Sequence, residues 1–414
     1  MSRIDDLIAE LCPDGVAFLE LSTIAETVSG LSGKTKADFT DGNARFVTYK
    51  NVFANLAVDQ AADGFVKVGP DERQNRLQIG DVVFTGSSET AAEVGMSSVM
   101  LTQPTELLYL NSFCFALRFH DSDLLLPGFS KYLFRGASVR ALIQKSASGV
   151  TRINISKQRF MKIRIPVPPV DVQRAIVKIL DTFTELEAEL EAELEARRRQ
   201  YAYYRDSLLT FAEGGVLWVT FGEVATIVRG GSPRPIQAYL TEAEDGVNWI
   251  KIGDVAAGGK YVTSTAEKIK PEGARKSRRV EPGDFVLSNS MSFGRPYIVK
   301  IAGCIHDGWL AIKDFRDTFN PDFLYHLLRT SLVYREMAQR AGAGTVQNLN
   351  ADIVKSLALP APDLDEQERI VAILDKFDAL VNDLSVGLPA ELKARRQQYE
   401  YYRDRLLTFE ESAA

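Results

Sequence analysis

The sequence predicts an α+β protein: two globular α/β domains separated by two long helices, arranged as a pseudo-two-fold internal repeat. Three observations carry this. QRAIVKILDTF (residues 173–183) returns as QERIVAILDKF (367–377), a shift of 194. ARRRQYAYYRDSLLTF (196–211) returns as ARRQQYEYYRDRLLTF (394–409), a shift of 198. Between the first pair of blocks, residues 185–196 read ELEA three times over. Repeats of this length set the whole architecture and are read before anything else.

The ELEA tetrads put Leu186, Leu190 and Leu194 along one edge of a helix, and all three residue types favour helix. The second copy is four residues longer, with a ladder of Leu380, Leu384, Leu388 and Leu392. One added tetrad keeps the apolar edge in register, although Gly387 and Pro389 should interrupt the helix. The repetition extends to the domains. DGVAFLELSTIAETVSG (14–30) parallels GGVLWVTFGEVATIVRG (214–230), and IGDVVF (79–84) parallels PGDFVL (282–287). Residues 6–11 match 206–211, so the chain reads as a ring of two repeats opened within the last turn of a helix.

Taken in order, residues 20–170 hold short β-rich runs at 45–49, 81–85 and 113–119, and an apolar helical face over 129–146. KIRIPVPP alternates like a strand and ends in a proline hinge. A helix then runs from Asp171 to about residue 211. Residues 212–362 repeat the plan, with strands at 249–252 and 285–287, a helix over 321–340 and a second hinge, LALPAPD. The domain bounds expected are 1–170, 171–211, 212–362 and 363–414.

At 414 residues and 45% hydrophobic content the chain can bury two ordinary cores. No apolar run approaches a membrane span, and the charged, amphipathic first residues are no signal peptide. Three scattered cysteines and three scattered histidines follow no disulfide or metal-ligand spacing. The expectation is a reduced, cytoplasmic protein with no metal. Its net charge of −6 is unevenly spread. Residues 20–170 carry 17 Lys and Arg against 14 Asp and Glu, and residues 212–362 carry 18 against 16. The helical segments hold the acid, a partition that permits DNA binding by the domains.

Catalytic motifs are missing. SGLSGKT (29–35) has Val28 where a phosphate-binding loop needs its first glycine. GAGT (342–345) follows a helix instead of a strand. Neither an acidic nuclease cluster, an Asn/Asp-Pro-Pro-aromatic motif nor a triad stands out, so no catalytic residue is expected. What remains is loops with DNA-compatible side chains. In the first domain these offer Lys34, Lys36, Lys50, Asn51, Arg73, Arg76, Ser87, Ser88 and Arg152. In the second they offer Arg229, Ser232, Arg234, Lys251, Arg275, Lys276, Arg278, Arg279, Asn289, Ser292, Arg295 and Gln347. Arginine suits guanine and Asn or Gln suits adenine, with Lys and Ser on phosphates. Similar loops at similar places in both repeats strengthen the reading.

Both long helices end in a basic-aromatic run. Tyr201, Tyr204 and Leu208 fall at i, i+3 and i+7, as do Tyr399, Tyr402 and Leu406. With the leucine ladders they form either a seam between the two helices or a face for another protein's helices.

These blocks, the hinges IPVPP and LPAP and the opening LCPDGVAF together resemble the specificity subunits of type I restriction–modification systems, over essentially the whole chain. The tetrads are most similar to the IC subgroup. The resemblance implies two target-recognition domains, each reading half of a bipartite DNA site. It also implies two conserved helical regions that pack antiparallel as a coiled coil and dock two methyltransferase subunits, with restriction subunits joining that core. The family's S-adenosylmethionine belongs to the methyltransferase and its ATP and magnesium to the motor; this chain would hold no cofactor. A helix of about 30 residues spans about 45 Å, near one turn of DNA at ~34–36 Å. Tetrad number is therefore expected to set the unread spacer. Two rivals stay open: an orphan DNA-binding adaptor, and a coiled-coil scaffold that binds only protein.

Overall fold

The computed structural model describes residues 2–61, 64–212, 214–255, 258–289, 293–341, 348–383 and 385–412. The chain divides into two units, Met1–Ala188 with Arg395–Ala414, and Glu189–Ala394.

In the first unit an antiparallel sheet runs in the order Ala25–Ser29, Cys114–Phe119, Val82–Thr85, Ser97–Val99. The second unit rebuilds it as Thr226–Arg229, Trp309–Lys313, Phe285–Ser288, Pro296–Val299, and adds Tyr261–Val262 in parallel at the far edge. The register matches: Ala116 faces Val28 and Val83, while Ala311 faces Val228 and Val286. The central strands are buried on both faces, because alternate side chains enter different cores. Val82 and Phe84 face one core and Val83 another; Phe285 and Leu287 divide from Val286 in the same way. A second sheet in each unit carries a parallel pair, Ala44–Val47 with Leu108–Leu110 and Val247–Ile250 with Gly303–Ile305. Chain entry and exit pair antiparallel in both units, Ala17–Glu20 with Arg164–Val167 and Leu217–Thr220 with Ala358–Ala361.

One helix runs over Val170–Leu208. Its Val172, Ile176 and Leu180 enter the core of the first unit, and its Leu194 and Tyr201 the core of the second. The second helical segment breaks, as Gly387 and Pro389 predict, into Leu364–Asn382 and Leu388–Leu406. Asp383 ends the first piece in extended backbone at ψ 122.

Three expectations are corrected. The helix over 129–146 is two helices, Pro127–Leu133 and Ala137–Ser146, because Gly136 between them is extended. The helix over 321–340 likewise divides into Pro321–Leu328 and Ser331–Ala341. The place of 206–211 in the first unit belongs to 404–409, since Asp206 accepts from the Ser331 N–H and Asp404 from the Ala137 N–H. Ser2–Leu11 is a further helix, whose Ile8 packs on the same core.

The tyrosines and leucines also divide. Phe183 stacks on Tyr402 at 5.5 Å and meets Tyr399 at 6.4 Å, while Arg396 pairs with Glu187 at 2.6 Å. Tyr204 stacks on Phe377 at 5.3 Å. Tyr201 instead turns into its domain, its hydroxyl 3.0 Å from His326 Nδ1. Leu208 and Leu406 pack on the cores. Leu186 and Leu380 are 46% and 37% exposed. A four-residue step overshoots the helical turn by about 40°, so the ladder walks from exposed Leu186 through half-buried Leu190 to buried Leu194. Leu384 lies outside the described residues.

Candidate nucleic-acid interface

In both units the same sheet edge brings loops together. Gly30 follows the first strand and lies so close to the 111–113 loop that a Cβ there would stand 2.1 Å from the Asn111 carbonyl oxygen. Gly230 repeats this against His306, also at 2.1 Å. Only glycine permits such an approach. Next to each glycine, the end of the central strand accepts a returning segment. Ile155 donates its N–H to the Gly86 carbonyl at 2.9 Å, and Leu349 does the same to Asn289 at 2.8 Å.

In the first unit this edge carries Ser87, Ser88 and Arg152 together. The Arg152 Nε and Nη2 donate to the Ser87 Oγ at 3.2 and 2.9 Å. The guanidinium carbon stands 4.8 Å from the centroid of the Phe113 ring. The Tyr49 hydroxyl donates to the Ser87 carbonyl, and Lys157 Nζ donates to Ser29 Oγ at 3.0 Å. Lys36, Arg73 and Arg76 are exposed on the adjoining loops, which Gln74 ties together through both bonds to the Ser32 backbone. Lys50 is exposed on the helix Tyr49–Ala54.

Two residues of this set are structural. Lys34 is engaged by Glu72 at 2.6 Å and by the Lys67 carbonyl, and its side chain is almost wholly covered. That hydrogen bond holds the Glu72 carboxyl down to about 2. Asn51 is buried; its amide donates to the Asp59 carbonyl, and its carbonyl oxygen accepts from the Asp59 N–H and from Asn55.

In the second unit the edge converges on Asp307. Ser232 Oγ donates to its Oδ1 at 2.7 Å, Arg234 reaches its Oδ2 at 3.9 Å, and Arg229 Nε and Asn289 Nδ2 donate to its carbonyl. The Ser232 hydroxyl, helped by its neighbours, holds the Asp307 carboxyl below its ordinary value. Asn289 is buried, with its side-chain amide turned to the Asp307 carbonyl. Burial pushes the adjacent His306 imidazole below its ordinary value, and the Gly308 N–H donates to its Nδ1 at 2.7 Å. Arg275 and Lys276 lie exposed beside the 230 loop, the latter over the Tyr239 ring at 4.9 Å. Lys251 is paired with Glu267 at 2.6 Å. Arg278 and Arg279 sit exposed on an edge strand, and Arg295 lies over Tyr297. Ser292 and Gln347 lie outside the described residues.

Sequence reading missed Phe113, Lys157, His306 and Asp307. For Phe113, His306 and Asp307 the signal was the paired Gly30 and Gly230, each of which marks where a second loop must press close. Among the described residues no group of His, Cys, Asp or Glu is placed to hold a metal, and no helix is long and apolar enough to cross a membrane.

Residues 13–196 and 216–394 each match the type I restriction modification DNA specificity domain. The specificity subunit of the Escherichia coli type I restriction enzyme EcoR124I/EcoR124II is 36% identical over 268 residues, 62% of this chain and 65% of that subunit. The chain thus aligns to somewhat less than two thirds of that relative's length. Two solved structures share the fold at low identity. One chain, from a study of assembly and conformational transition in a type I system, has a TM-score of 0.66 at 19% identity, covering 95% of this chain and 98% of that one. The HsdS subunit of Thermoanaerobacter tengcongensis has a TM-score of 0.50 at 18% identity, covering 96% and 97%.

Proposed function

This chain belongs to the type I restriction–modification DNA specificity family, a family of non-catalytic DNA-recognition subunits, and from that premise we propose that it reads a bipartite, asymmetric DNA site with an unread spacer. Each unit reads one half-site. The observation that carries this is one edge built twice with different side chains at equivalent places. By strand register, Gly86, Ser112 and Phe113 of the first unit correspond to Asn289, Asp307 and Gly308 of the second. A shared scaffold with unlike loop tips suits two different half-sites.

The helical segments dock two methyltransferase subunits, and restriction subunits join that core. Tyr203 and Tyr401, at equivalent places in the two basic-aromatic runs, stay 68% and 60% exposed, which suits a protein partner. S-adenosylmethionine, ATP and magnesium are used by those partners. The complex works in the cytoplasm, on double-stranded DNA.

The test is co-production with the cognate methyltransferase, followed by mapping of methylated adenines in genomic DNA. Two different half-sites around a fixed gap are expected. A stable complex that marks no split sequence overturns the reading in favour of an orphan adaptor or a protein scaffold.

A further inference from the structure

We propose that Arg152 is the residue with which the first unit reads a guanine, held ready for it by Ser87 and Phe113. The proposal rests on the DNA-reading function above and deepens it.

An exposed arginine ordinarily samples many rotamers. Arg152 does not, because Ser87 Oγ accepts from both Nε and Nη2 and the guanidinium lies on the Phe113 ring. Ser87 is itself buried and fixed by strand pairing to Asn154. Phe113 is 54% exposed at a loop tip, where an aromatic ring has no core to fill; its work is to carry the cation. Fixing the side chain beforehand lowers the ordering needed on binding. The Nε side of the fork is occupied. The outer edge, Nη1 with Nη2, carries no further hydrogen bond among the described residues. Two parallel N–H groups on that edge match O6 and N7 of guanine in the major groove.

The surroundings separate base from backbone. Ser87, Phe113 and Arg152 form a ridge shared by two clefts, of about 730 and 510 Å³. The first holds Glu89 and Glu93, whose carboxylates repel phosphate. The second holds Lys157 and the Ser29–Ser32 turn, which suit it. The ridge is therefore placed for base edges with the DNA backbone to one side. Three other arginines of the unit are committed elsewhere, Arg118 to Asp81 and Arg135 and Arg140 to buried carbonyls, and Arg45, which lies over Phe65, reaches Glu106. Arg73 and Arg76 are exposed without a comparable shelf.

The experiment compares the methylated motif of the wild-type complex with those of Arg152→Ala and Arg152→Lys. Lysine keeps the charge and the apolar stem but lacks the fork, so it separates reading from folding and from phosphate contact. Both variants should accept other bases at one guanine of one half-site, with discrimination there falling roughly 5- to 150-fold. The other half-site should stay intact. Binding of each complex to duplexes substituted at single positions, at one fixed salt concentration, reads the same discrimination without turnover. An unchanged motif in both variants, or a uniform weakening at every position, overturns the assignment. A wild-type complex that marks no split sequence overturns the underlying function instead.

Discussion

Gln173 and Gln367, 194 positions apart, make the same three hydrogen bonds in the two units. Each is fully buried near the start of a long helix. Gln173 Oε1 accepts from the Leu126 N–H, and its Nε2 donates to the Leu124 and Pro168 carbonyls. Gln367 accepts from Asn320 and donates to Thr318 and Pro362. One side chain thus clamps helix, proline hinge and domain together. Gln367→Ala leaves three backbone groups without partners, at about 1–3 kcal/mol each when buried. We expect a loss of about 3–5 kcal/mol in chemical denaturation, with the mapped DNA motif unchanged. A loss below about 1 kcal/mol means that water replaces the clamp.

His326 gives the second unit a pH dependence of its own. Its Nε2 lies 2.8 Å from Asp375 Oδ1, which also accepts from Lys260 at 2.9 Å. A carboxylate only accepts, so Nε2 holds the proton and Nδ1 accepts from the Tyr201 hydroxyl. Burial outweighs Asp375 and pushes the imidazole below its ordinary value. For Asp375 burial works upward, but the bonds from His326 and Lys260 outweigh it and hold the carboxyl low. As pH falls through about 6.5 the unfolded histidine takes a proton that the folded one refuses, so stability drops on acidification. The slope reaches at most about 1.4 kcal/mol per pH unit. Tyr132 occupies the matching place in the first unit and bonds Asp181. His326→Tyr should therefore flatten part of the slope between pH 7.5 and 5.5 in urea titrations. Equal slopes for both proteins count against a neutral, buried His326.

The repeat was legible because it is written in contiguous blocks, and the helix break because Gly387 and Pro389 announce it locally. Strand positions were legible to within a few residues for the same reason. The division at Gly136 was not, since the apolar spacing of 129–146 continues across it. Nor could spacing tell that Lys34 is engaged by Glu72, 38 residues away, or that Asn51 turns inward. Composition finds a basic loop. Only tertiary structure decides which of its charges remain available.

The aspartates of the two YYRD runs act as caps supplied from elsewhere in the chain. Asp404 accepts from the Ala137 N–H at 3.1 Å, at a helix start where Gly136 offers no side chain. Asp206 does the same for Ser331 at 3.3 Å. The preceding arginine orients each carboxylate, Arg403 at 2.9 Å and Arg205 at 3.0 Å. Asp404→Ala should lower stability by about 0.5–2 kcal/mol, the usual range for a lost cap. Asp404→Asn, which keeps an acceptor, should recover most of it. If Asn is as damaging as Ala, the charge matters more than the hydrogen bond.

One boundary between the units, Ala188 to Glu189, falls within the tetrads. Deleting residues 189–192 removes one tetrad and about 6 Å of helix. It turns the remainder by only about 40°, so Leu186 takes the place of Leu190, which packs on the second unit's core. The helix should therefore survive the deletion, with both domains folded and both half-sites read as before. What should change is the gap between them, shorter by one or two base pairs at 3.4 Å per step. The methylated motif of the deletion complex measures this directly. An unchanged gap separates spacer length from tetrad number, and a motif that loses one half-site means the tetrad positions that domain in some other way.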